Sequence, residues 1–185
     1  KKFGDFAEYI PVSHGYSYPD NFIDKEIYTL DLTLPKEITE KLLKINKRLT
    51  SIDHHIASEE VTKMTQDFSF DNNHSGAFLA WKYFHPEKPV PKLLLFIEDI
   101  DIWKFEYPET KNFISALNLY DFSFELFDKV ALEIEDPYKL EEYISKGEVI
   151  SQHDKKIIDQ LSQTAVLVEF EGYKVNVVNA PDFIK

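Results

Sequence analysis

Cysteine is missing from this 185-residue chain, arginine occurs once, at Arg48, and acidic residues outnumber Lys and Arg by 33 to 21. Without cysteine no disulfide framework can staple an extracellular fold, so stability must come from a packed core. No apolar run is long enough to span a bilayer, and no stretch has the order of basic, apolar and small residues that marks a signal peptide. A cytoplasmic location, with no membrane partner, is the expectation. The formal charge of -12 leaves no basic footprint for a long duplex nucleic acid. It does not exclude a phosphorylated substrate, because cations held by carboxylates reverse the local sign inside a cleft. With one arginine, bidentate guanidinium clamps on phosphate are nearly absent.

What is present suffices for one sizeable core and part of a second module: 43% of residues are hydrophobic and 15% aromatic. Residues 6–12 read as a short strand, followed by a loop through Ser13-His14-Gly15. Residues 27–34 read as the first full strand. Pro35 then suits a first helical turn, and Ile38, Leu42 and Ile45 keep helical spacing to residue 47. The apolar run Leu49-Thr50-Ser51-Ile52 completes a strand–helix–strand unit, whose strands are parallel and whose crossover is right-handed. Alternation over 64–70 predicts a strand near a sheet edge, and Ser75 is the expected N-cap of a helix that ends at His85-Pro86. After Pro91, residues 93–97 fit either a buried strand or a helix whose apolar stripe continues through Ile100 and Trp103. The same helical spacing sets Phe78, Trp81, Tyr83, Phe84, Phe96 and Trp103 in the core rather than on a base-stacking platform. Helices are predicted over 108–120 and 123–132. Asp136-Pro137 opens a long one to about residue 162, and Glu171-Gly172 joins strands 165–170 and 173–178 in a tight hairpin. The chain opens without Met and stops at Phe183-Ile184-Lys185 just past that hairpin, so both ends are expected to be incomplete.

Chemistry concentrates where strands end. Asp53-His54-His55 follows the second strand directly, Asp31 follows the first, and the run 93–97 leads into Glu98-Asp99-Ile100-Asp101. In an open α/β sheet the carboxyl edge is where ligands bind. Neutral imidazole with carboxylate oxygens suits Mn²⁺ and tolerates other divalent ions. The expected ligands are Asp31, as a bridge between ions, His54, and one of Asp99 and Asp101, with Asp99 favoured because it is nearer the apolar run. His55 and Asp53 are the candidate catalytic residues, His55 also facing the substrate phosphate. The turn before Ser75 and Gly76 offers backbone N–H groups to an anion. Against these stand plainer readings: Asp31 as a turn cap, the Asp99–Asp101 stretch as a solvated helix face, and His14, His74, His85 and His153 as surface residues.

Four segments, Tyr28-Thr29-Leu30-Asp31, Ser51-Ile52-Asp53-His54-His55, the stretch from Phe70 through Ser75-Gly76-Ala77, and the stretch from Phe96 through Asp99 to Trp103, occur in an order that resembles the DHH phosphoesterase superfamily. That resemblance implies a parallel α/β DHH domain over 1–135, a connector helix over 136–163, and the start of a C-terminal substrate-binding domain over 164–185. It implies a Mn²⁺- or Mg²⁺-dependent phosphohydrolase with a two-metal site in the complete protein. Metal-activated water would cleave a small phosphorylated substrate: a short single-stranded oligonucleotide, a cyclic dinucleotide, polyphosphate or similar. Asp31, Asp53-His54-His55 and Asp99 take the places of its second, third and fourth motifs, while Ser75 and Gly76 are the expected substrate contacts by way of the anion-binding turn. The first acidic motif and the C-terminal glycine- and histidine-rich motif are missing, and Ile100 stands where a basic residue is expected. This stretch alone is therefore expected to hold at most one metal well and to turn over slowly or not at all. A non-catalytic module of the same fold, binding a phosphorylated ligand or a protein partner, is the competing reading, and the sequence leaves oligomeric state open.

Overall fold

β-Branched and aromatic residues at Ile27, Tyr28 and Thr29 favour an extended backbone, and strand β1 spans Glu26–Leu30 in the computed structural model, which describes residues 2–12, 18 and 20–180. It pairs in parallel with β2, Arg48–Asp53, setting Ile27 opposite Leu49 and Leu30 opposite Ile52. The helix between them, α1 at Lys36–Ile45, makes the connection that parallel pairing requires. A third parallel strand, β3 at Asp67–Phe70, lies on the other side of β2. The order β1-β2-β3 makes β2 central. It is accordingly buried from Leu49 to Asp53, as a parallel strand covered on both faces should be. Asp53 therefore enters the interior because its whole strand does.

β3 is shorter than the alternation over 64–70 suggests, because Thr65 turns the chain there: its hydroxyl donates to the carbonyls of Thr62 (2.8 Å) and Asp67 (2.7 Å). The four-residue helix α2, Glu59–Thr62, precedes that turn. Residues 6–12 form no strand. Gly4–Phe6 is a single 3-10 turn, and among the described residues the parallel sheet consists of three strands, none of them from this segment. Ser13-His14-Gly15 and Phe183-Ile184-Lys185 lie outside the described residues.

The rest of the chain is helical up to a final hairpin. Ser75 caps α3, Gly76–Phe84, by accepting a hydrogen bond from Phe78 N at 3.1 Å. Residues 93–97 belong to helix α4, Lys92–Asp101, which buries Leu93 and Phe96. Helices α5 (Thr110–Leu117), α6 (Phe124–Glu133) and the 26-residue α7 (Pro137–Ser162) follow. Phe96, Phe113, Ala116, Leu117, Val130, Ile134 and Tyr143 join Leu93 in a core among α4–α7, while Leu34, Leu42 and Leu49 form a smaller core beside the sheet. Tyr143 donates its hydroxyl proton to Glu133 at 2.8 Å; burial first, and then that carboxylate, push the phenol up to about 12. β4 (Val166–Phe170) and β5 (Tyr173–Val177) pair antiparallel across Glu171 and Gly172, both at positive φ, as a primed hairpin turn demands. No helix among the described residues is long and apolar enough to cross a membrane.

Candidate metal centre

The site grows out of the ends of β1 and β2. Asp31 N donates to Ile52 O at 2.8 Å, which extends the ladder by one step, and Asp31 itself adopts φ 56. Aspartate tolerates this left-handed region better than most residues, though at a cost. On the neighbouring strand, Asp53 is fully buried and its carboxylate is fully engaged. Oδ1 accepts from His54 N (2.7 Å), His55 N (3.3 Å) and His55 Nδ1 (2.6 Å), and Oδ2 accepts from Thr33 Oγ1 (2.6 Å). Burial pushes the Asp53 carboxyl up, but the hydrogen bonds from Thr33 and His55 outweigh it and leave the group below its ordinary range. The same contact, acting against burial, raises the His55 imidazole above its usual value. Asp53 thus orients His55 and aims its other ring nitrogen away from the carboxylate, a positioning role.

His54 is the centre of the arrangement. Its side chain is 10% exposed, and Nε2 lies 3.3 Å from Asp31 Oδ1 and 3.4 Å from Asp101 Oδ2. That nitrogen is buried and makes no hydrogen bond. A carboxylate from the end of β1 and another from the last turn of α4 therefore converge on one unsatisfied imidazole nitrogen. Burial, and then the nearby Asp101, push the Asp31 carboxyl up, partly offset by His54 and His55. A divalent ion placed among these groups would give the His54 nitrogen a partner and neutralise both carboxylates. The spacing also suits one. Ligand atoms about 2.1 Å from a cation, at octahedral or tetrahedral angles, lie roughly 3.0–3.4 Å from each other. One donor atom each from Asp31, Asp53, His54 and His55 falls within 4.8 Å of the others. With Asp53 and His55 engaged with each other, the donors left to face a cation are His54 Nε2 and the carboxylates of Asp31 and Asp101, a set that fits a divalent metal.

Gly76 explains how Asp31 is fitted against α3. A Cβ there would lie 2.3 Å from Asp31 Oδ1 and 2.6 Å from its Cβ and Cγ, so only glycine lets the start of the helix reach this side chain. Ser75 and Gly76 are thus placed differently from the substrate contacts the sequence suggests. Ser75 is fully buried, its hydroxyl capping α3 and its N–H donating to Glu98 Oε2 at 3.0 Å, while Gly76 packs on Asp31.

Asp99 is not brought to the cluster, and Asp101 is. Two positions along a helix differ by about 200° around its axis, so these residues face different ways once 93–101 is helical. Asp99 is 2% exposed and accepts from Glu106 N (2.7 Å), Tyr107 N (3.3 Å) and Thr110 Oγ1 (2.5 Å). Its carbonyl takes the N–H groups of Lys104 (3.0 Å) and Phe105 (3.3 Å). Every one of these bonds fixes the loop after α4, where Trp103 and Phe105 sit at φ 58 and 51. For bulky aromatics such backbone costs about 1–3 kcal/mol each.

Trp103 is not in the core: it is 78% exposed, since α4 ends before the stripe reaches it. His74 is not a plain surface residue. Its ring stacks on Phe78 at 4.0 Å and Nδ1 lies 3.1 Å from both oxygens of Glu98. His85 packs against Trp81 at 4.4 Å, His153 is exposed, and His14 lies outside the described residues. Glu98 thus ties His74 and the start of α3 to α4, a pairing that the reading of His74 as a surface residue misses because no spacing in the sequence brings residues 74 and 98 together.

No protein-family model matches the chain, and no solved structure matches it. Among curated proteins it is similar to an uncharacterized protein of Acanthamoeba polyphaga mimivirus, 26% identical over 192 residues, an alignment covering 97% of this chain and 45% of that protein. The chain spans less than half the length of that curated relative.

Proposed function

We propose that this chain carries the metal-binding part of a divalent-metal-dependent phosphoesterase of the DHH type, hydrolysing a phosphodiester or phosphoanhydride. The observation that carries the reading is the unsatisfied, buried Nε2 of His54 held between the carboxylates of Asp31 and Asp101. Asp31, His54 and Asp101 would hold Mn²⁺ or Mg²⁺, and the mixed nitrogen and oxygen donors favour Mn²⁺. When bound, such an ion supplies Lewis-acid charge neutralisation at phosphorus and lowers the pKa of an attacking water.

The protein's own groups do the rest. Asp53 fixes the tautomer of His55 by accepting from Nδ1, as a buried carboxylate does for a catalytic imidazole. His55, whose imidazole Asp53 raises above its usual value and whose side chain is 47% exposed, would donate Nε2–H first to a phosphate oxygen and then, as the bond breaks, its proton to the leaving oxygen. Gly76 and the start of α3 keep Asp31 in register with His54. The acidic surface elsewhere keeps long duplexes away, which leaves small phosphorylated substrates.

The test is a hydrolysis assay of the full-length protein with Mn²⁺ on short oligonucleotides, cyclic dinucleotides, polyphosphate and pyrophosphate. Turnover of at least one of them is expected, abolished by chelation and by His54→Ala. His55→Ala is expected to lower kcat by about 10²–10⁴-fold, the range of a general acid. Turnover that survives both chelator and His54→Ala would contradict the proposal.

A further inference from the structure

Trp103 follows Asp101 by two residues, so its Cα lies within about 7.6 Å of the Cα whose carboxylate meets His54. Trp103 is 78% exposed, although large apolar side chains gain free energy by leaving water. The loop that presents it is held, not slack. Trp103 and Phe105 both occupy the left-handed region, and the buried Asp99 fixes this through its carbonyl and both carboxylate oxygens. The Phe105 ring meets the indole edge-on at 5.9 Å and 79°, with Lys111 Nζ 4.6 Å from the centre of that same ring. Trp103 is therefore braced from one side while most of its surface stays open.

The same loop is tied to the start of α3. Lys104 Nζ lies 3.8 Å from Glu98 Oε1, Glu98 Oε2 accepts from Ser75 N, and the next residue, Gly76, packs on Asp31. One hydrogen-bonded loop thus carries an exposed aromatic ring two residues from Asp101 and a cation paired with the glutamate that holds the start of α3. Exposed aromatics beside a phosphate site are the usual means of holding bases, because every base presents a π face regardless of sequence.

We propose that Trp103 is a stacking residue for a planar heteroaromatic ring, the nucleobase of a ligand whose phosphate is held at Asp31, His54 and Asp101. This rests on the metal-centre reading above. It narrows the substrate class to nucleotides, since polyphosphate and pyrophosphate have no ring to stack. AMP and ribose 5-phosphate test it, because they share phosphate and sugar and differ only in the base.

Affinities of both ligands are measured by calorimetry in saturating Mn²⁺ for wild type, Trp103→Ala and Trp103→Phe. Wild type is expected to bind AMP more tightly than ribose 5-phosphate. Trp103→Ala is expected to lose about 5- to 150-fold in AMP affinity, the range of one base–aromatic stack, with ribose 5-phosphate unchanged and Trp103→Phe recovering most of the loss. An AMP affinity within twofold of wild type in Trp103→Ala, an equal loss for both ligands, or no binding of AMP at all would overturn the proposal. The metal centre is read separately, from the Mn²⁺ dependence of ribose 5-phosphate binding and its loss in Asp31→Asn.

Discussion

Gly147→Ala is expected to lower stability by about 3 kcal/mol or more, at the upper end of what overpacking costs. In an ordinary helix the same change would stabilise, by up to about 1 kcal/mol, because alanine is the better helix former. Here packing reverses the sign. A Cβ at position 147 would sit 1.6 Å from the carbonyl oxygen of Asn112 and 2.5 Å from its carbon, and both are backbone atoms that no rotamer can move. Helices α5 and α7 meet along Tyr143, Gly147 and Ser151, one residue per turn, with Tyr143 against Phe113 and the Ser151 hydroxyl 3.0 Å from that of Ser115. Restoring normal contact distance forces the two helices apart and opens the core holding Phe113 and Tyr143. Thermal unfolding checks this: a midpoint roughly 6–12 °C below wild type is expected. Glu148→Ala, exposed one position along, should stay within about 0.5 kcal/mol of wild type.

Gly76→Ala is the second large effect, and it separates fold from site. The added methyl would overlap the Cβ, Cγ and Oδ1 of Asp31, so the aspartate must leave its place beside His54. Mn²⁺ affinity is expected to fall at least about 100-fold, a loss larger than supporting residues around a metal usually cause, with about 1–3 kcal/mol of stability lost as well. Combining it with Asp31→Gly removes all three obstructing atoms and relieves the left-handed backbone at φ 56. The double variant is expected to regain near wild-type stability and no Mn²⁺ affinity. The two measurements, chemical denaturation and metal titration, then move in opposite directions. That split is expected when a strained residue is retained for a ligand rather than for the fold.

The local signals that read correctly are those with a single mechanism. Ser75 before a helix, Asp136-Pro137 at the start of α7, and Glu171-Gly172 between two apolar strands each satisfy backbone groups in one way only, and each stands where it was expected. The strand–helix–strand order of β1, α1 and β2 followed from two unlike periodicities on either side of Pro35. The failures share a cause as well. Residues 93–97 suit strand or helix equally, and that ambiguity carried through to the site. A strand edge would have made Asp99 the ligand, whereas the helical phase turns it to the loop and presents Asp101 to His54. Trp103 fitted the apolar stripe by spacing, and only the position of the helix end puts it in solvent. Residues 6–12 read as a strand, but the segment does not join the parallel sheet, whose strands are β1, β2 and β3.

Calorimetric titration of Mn²⁺ into wild type, Asp31→Asn and Asp101→Asn, in phosphate-free buffer near neutral pH, tests the centre most directly. One ion per chain is predicted for wild type, with affinity at least about 10-fold weaker in each variant because each removes a charged donor from His54's immediate surroundings. Wild type and Asp31→Asn binding Mn²⁺ equally well, or wild type binding none, would contradict the account.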